Sequence, residues 1–130
     1  MTRTLALLLL LSTGCVQRFY DGNALPDAEI VRVETRGADL EAVNGKRVEN
    51  DSRVIEVMPG TNTIEATVAT PLQSKKVSKL TFFGTAGALY YLVGRPGSPN
   101  CVKLENVRGE VVAEDQVGCR PNMVRASYAN

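Results

Sequence analysis

In Thr63-Ile64-Glu65-Ala66-Thr67-Val68, apolar and polar side chains alternate without a break. A period of two puts neighbouring side chains on opposite faces of an extended strand, so Ile64, Ala66 and Val68 are expected to face a core. Glu65 and Thr67 then face water. The alternation returns through Leu80 and Phe82 in Lys75 to Phe83, and through Tyr90 and Leu92 in Ala88 to Val93. Gly, Pro and Asn punctuate these β-branched and aromatic runs at short intervals, and no helix-period repeat competes with them. The reading is all-β.

The turns between the runs fix expected pairings. Asn44-Gly45 joins Leu40 to Val43 with Lys46 to Val48, and this dipeptide accepts the positive φ angles of a type I′ hairpin. Met58-Pro59-Gly60-Thr61-Asn62 predicts a second hairpin between Arg53 to Val57 and Thr63 to Thr70, with Pro presetting one turn angle and Gly accepting φ above zero. Gly84-Thr85-Ala86-Gly87 predicts that the strands on either side pair with each other. Arg95-Pro96-Gly97-Ser98-Pro99-Asn100 is read as an exposed loop, because its prolines lack the N–H a ladder needs. Val102 and Leu104 open a further strand, and Glu110 to Glu114 is the last. The sum is a small β-sandwich or open barrel of seven to eight mainly antiparallel strands over residues 29–119, with 120–130 a frayed tail.

Composition removes several functions. The 130 residues hold 15 Lys+Arg against 14 Asp+Glu, so a nucleic acid finds no net attraction. His and Trp are both absent, which takes away the common general base, the imidazole metal ligand and the usual ring for sugar stacking. Ser74-Lys75 and Ser78-Lys79 do not make a nucleophile pair, since adjacent strand residues point apart; the lysines fit a solvated sheet edge. Acids from Glu29 to Glu114, Glu56 included, fall mostly at outward positions and form no calcium-type loop. No enzyme, metal or nucleic-acid partner is expected.

The amino terminus carries the localisation signal. Met1 to Thr4 is short and basic, and Leu5 to Leu11 is an unbroken apolar run, too short to span a bilayer and suited to a secretory leader. Ser12-Thr13-Gly14-Cys15 follows and resembles the lipobox of bacterial lipoproteins, with Ser12 where a Leu is usual. The resemblance implies removal of residues 1–14 and a covalent lipid on the Cys15 thiol, the one prosthetic group expected. Val16, in place of the Asp that favours inner-membrane retention, implies the outer membrane; the periplasmic face is the one expected, though residue 16 does not itself select it. Removal of 1–14 takes away Arg3 alone and leaves 14 bases against 14 acids. Residues 15–28 are read as the attachment segment, with Phe19 and Tyr20 docked and Val16 to Arg18 a free leash. The partner is then a membrane-proximal envelope protein.

Two cysteines remain, Cys101 and Cys119, an even pair for an oxidising compartment and expected to form a structural disulfide. Tyr91 lies between the core positions Tyr90 and Leu92, so it is expected to face out beside Arg95, the composition of an interface anchor.

Across residues 20–112 the chain resembles a group of small proteobacterial envelope lipoproteins, related in style to PEGA-type β modules. The matching residues are Tyr20-Asp21-Gly22, Leu25-Pro26, Ile30-Val31, Val43-Asn44-Gly45-Lys46, Val57-Met58-Pro59-Gly60, Leu80 and Phe82, Ala86-Gly87, Tyr90 and Leu92, and Gly109 to Val112. The two late cysteines and the missing Trp depart from that pattern. The resemblance bears on fold, and the function expected is a non-enzymatic binding or scaffolding accessory of the envelope. The alternative is an inhibitor or ligand binder using the Arg95 to Asn100 loop.

Overall fold

The computed structural model describes residues 16–49, 52–68, 76–96, 101–115 and 119. The leader, Cys15, Ser74, Lys75, the loop tip 97–100 and the tail 120–130 lie outside the described residues.

The described residues form ten strands: β1 (Val16–Arg18), β2 (Val31–Arg36), β3 (Ala38–Val43), β4 (Lys46–Arg47), β5 (Val54–Val57), β6 (Gly60–Val68), β7 (Ser78–Gly84), β8 (Leu89–Arg95), β9 (Cys101–Asn106) and β10 (Val111–Glu114). One turn of 3-10 helix, Asp27–Glu29, precedes β2. A six-stranded sheet runs β1-β5-β2-β8-β9-β10 and a four-stranded sheet β4-β3-β6-β7. The fold is all-β, and its two sheets do not close on themselves. Ten strands replace the seven or eight expected; β4 is the expected second side of the Asn44-Gly45 hairpin, while β1 falls in the segment read as a leash. Most pairs are antiparallel; β1 with β5 and β2 with β8 are parallel.

The Asn44-Gly45 hairpin forms as expected, with φ of 49° and 80° at the two turn residues. Two other expected pairings do not form. β5 and β6 lie in different sheets, so Met58-Pro59 is a corner and not a hairpin turn. Gly60 takes φ 110° there, and the Asn62 side-chain amide donates to the carbonyls of Met58 (2.9 Å) and Gly60 (3.1 Å). These bonds serve carbonyls that a ladder would otherwise have used. β7 and β8 are likewise split between sheets: β7 pairs with β6, and β8 with β2 and β9. At that corner the buried Tyr90 hydroxyl accepts the Thr85 N–H at 3.1 Å.

Between the layers lies one apolar cluster. It takes Val31, Val33, Ile55, Val57, Tyr90, Leu92, Val102 and Leu104 from the larger sheet. Ala38, Val43, Ile64, Ala66, Val68, Leu80 and Phe82 come from the smaller. Every inward position read from the alternation is therefore buried, each large side chain contributing about 1.5–3 kcal/mol. Phe82 and Tyr90 meet edge to face across the layers, centroids 5.4 Å apart. β7, an edge strand, buries Ser78 and exposes Lys79, as opposite-face geometry requires.

The tightest joint is the third corner, where Gly37 carries the chain from β2 into β3 and its backbone passes Gly94 of β8. A methyl group on Gly37 would stand 2.7 Å from the Gly94 carbonyl oxygen, and one on Gly94 would fall onto the Gly37 carbonyl oxygen. Backbone atoms cannot swing aside as a side chain can. Gly94→Ala is therefore expected to lower stability by about 3 kcal/mol in a denaturant titration. Gly109→Ala, at positive φ in open space, is expected to cost about 1 kcal/mol.

Candidate functional site

The registers place Val16 toward one end of the sandwich. Val16 of β1 stands opposite Val54 of β5, and Val54 opposite Glu34 of β2. Glu34 pairs with Tyr91, Tyr91 with Glu105, and Glu105 with Val111. Toward the end at which β1 begins, β8 and β9 run four rows past this one, from Leu92 opposite Leu104 to Arg95 opposite Cys101. Beyond it the larger sheet carries Arg53, Arg36, Arg95, Cys101 and Asp115. The smaller sheet reaches the same end through the Gly37 corner and through Ser78, whose hydroxyl donates to Asp115 Oδ2 at 2.7 Å. Asp115 is itself fixed there by its N–H donating to the Val102 carbonyl at 3.0 Å.

Three of the residues singled out from sequence come to this region. Cys101 and Cys119 are bonded, S–S 2.00 Å, and the bridge ties the chain after β10 back to the start of β9. Arg95 sits opposite Cys101 in the β8–β9 ladder and is exposed. Tyr91 points to the outer face as expected, but it is half-buried and its partner is not Arg95. The Arg36 guanidinium, on the neighbouring parallel strand, lies 3.6 Å from the Tyr91 ring centroid. The stacked cation covers the ring face, so Tyr91 packs the sheet's outer surface and is not a free anchor. Cys15 lies outside the described residues; its successor Val16 is the first residue of β1.

The free leash expected at Val16 to Arg18 is absent, since these residues form β1 and pair with Val54 to Glu56. What holds them is a residue that sequence reasoning assigned to the solvated surface. Glu56 does point to the outer face of the larger sheet, yet the amino-terminal segment covers it and leaves it 7% exposed. Its carboxylate meets Arg32 Nη2 at 3.1 Å and Arg18 Nε at 3.5 Å, and the Tyr20 hydroxyl donates to it at 3.2 Å. Its main-chain carbonyl accepts the Phe19 N–H at 2.9 Å. Arg32 reaches on to Asp27 at 3.3 Å, which brings in the 3-10 turn. The sequence signal was there: Val54-Ile55-Glu56-Val57 is nearly all β-branched, as a strand covered on both faces is.

Between the sheets at the same end lies an open groove of about 710 Å³. Thr35 and Arg53 line it from the larger sheet's side, Asp39, Glu41 and Arg47 from the smaller sheet, and Ser52 from the connecting loop. Its rim mixes both signs of charge, a lining suited to a polar ligand. Glu41 is engaged, accepting the Thr67 hydroxyl at 3.3 Å.

Comparison with known protein families, curated proteins and solved structures finds no match. The fold and site define an open two-sheet β module with a disulfide-braced, arginine-bearing end.

Two substitutions test the parts that build this end. Removing the Glu56 carboxylate leaves Arg32 facing a covered surface, discounted because that side chain is 37% exposed. Glu56→Ala is therefore expected to cost about 2 kcal/mol and to raise protease cleavage within residues 18–26. Joint Cys101→Ala and Cys119→Ala opens an 18-residue separation and is expected to cost about 3 kcal/mol of unfolding free energy.

Proposed function

We propose that this chain is a lipid-anchored, non-enzymatic binding or scaffolding module of the bacterial cell envelope, held on the periplasmic face of the outer membrane by acyl chains on Cys15. The observation that carries the reading is the placement of β1. The first described strand begins at Val16, the residue that follows the lipobox-like cysteine in sequence. A thioether lipid there would hold the domain flush with its membrane, as two or three acyl chains anchor durably. The Cys101–Cys119 bond fits an exported chain. A sequence without His fits a module that recognises and does not transform. The resemblance to small envelope lipoproteins with PEGA-like β domains supports the same compartment.

Intact mass of the amino-terminal peptide from bacterially expressed chain tests this. The expected product begins at Cys15 and carries a diacylglyceryl group with an acylated amine. An unmodified thiol, or a terminus at another residue, overturns the anchor and the envelope assignment that rests on it.

A further inference from the structure

We propose that the end of the sandwich from which Cys15 emerges is a docking surface for anionic phospholipid headgroups, so that the domain stands end-on against the bilayer. This rests on the lipid-anchor reading for its orientation, and on charge placement for its chemistry.

The first 14 residues aside, the chain is neutral, yet its exposed charges are sorted by end. Among the described residues, Arg36, Arg53, Lys76 and Arg95 are exposed at the Val16 end, against two exposed acids, Asp39 and Glu49. Three different connections bring them there. Arg36 closes β2, Arg53 leads into β5, and Arg95 ends β8. Lys76 precedes Ser78, which the bond to Asp115 holds at this level. Two carboxylates nearby are engaged or recessed: Asp115 accepts from Ser78, and Glu114 is half-buried. The opposite end exposes Asp21, Asp27, Glu29 and Glu110 with Lys46 and Arg108.

One residue spans about 3.5 Å, and the headgroup zone is about 6 Å thick on each side of the hydrocarbon. A lipid on Cys15 would hold the level of Arg53 near the phosphate layer, with Arg36 and Arg95 farther along their strands on the membrane side. Two exposed apolar side chains accompany them, Val16 at 44% and Val77 at 51%. Each Lys or Arg near an anionic surface strengthens partitioning about fivefold, within a Debye length.

Residues from 16 onward supply every described strand and the whole core, so the chain from residue 15 with Cys15→Ser isolates the surface from the anchor. Its co-sedimentation with vesicles of phosphatidylglycerol and phosphatidylcholine in equal parts, at low ionic strength, is expected to exceed that with phosphatidylcholine alone and to vanish in about 0.5 M salt. The combined variant Arg53→Gln, Lys76→Gln, Arg95→Gln is expected to weaken the partition coefficient about hundredfold, while Arg108→Gln at the far end leaves it unchanged. Equal binding to both vesicle types, or equal binding by parent and triple variant, overturns the docking surface. Because Cys15 is replaced, the result stands apart from the mass measurement. An acylated cysteine with no vesicle binding sinks only the docking surface, and vesicle binding with a bare cysteine sinks only the anchor.

Discussion

Where β2 turns into β3, two stretches of backbone pass with no side chain between them, Gly37 against Gly94. This approach lets a six-residue strand in one sheet continue into a six-residue strand in the other after a single intervening residue. Both layers then start from a common corner, and the registers that follow carry Ile64, Leu80 and Leu104 into the same apolar interior. A larger residue at either glycine would push the sheets apart where they are closest, and the interior packing depends on that spacing.

A second constraint acts on the outside of the larger sheet. A carboxylate under a protein layer is unfavourable without partners, and that of Glu56 has three side chains around it, Arg18, Tyr20 and Arg32. Those partners belong to residues 18–32, so the cost of covering the acid is offset only when that whole segment folds back over β5. The amino-terminal residues are in this way part of the domain. The same arrangement leaves β1 at the sheet edge, with Val16 opposite Val54.

The interior was legible because alternation is a local property. Ile64, Ala66, Val68, Leu80, Phe82, Tyr90 and Leu92 face inward on the strength of their own neighbours. Asn44-Gly45 was legible because its positive φ angles belong to the dipeptide itself. Sheet membership was not. Alternation tells which side chains point in, but a strand turning back beside its neighbour and one crossing to the other layer show the same pattern. At Met58-Pro59 the difference lies in Asn62, whose side chain bonds the corner carbonyls and also accepts from Asn44 Nδ2 at 2.8 Å. The candidate site divides the same way. The disulfide pair and the outward direction of Tyr91 could be read, while the Arg36 cover over that ring depends on a parallel pairing between strands far apart in sequence.

The parallel alignment of β1 with β5 also has a mechanical side. A load applied at residue 15 along the strand direction stresses the β1–β5 hydrogen bonds together, in shear, and bears next on the Arg18–Glu56 contact behind them. A sideways load opens those bonds one at a time. The direction of tension on the amino terminus thus decides whether this edge resists as a unit or peels, with Arg18 the last point of attachment in the strand.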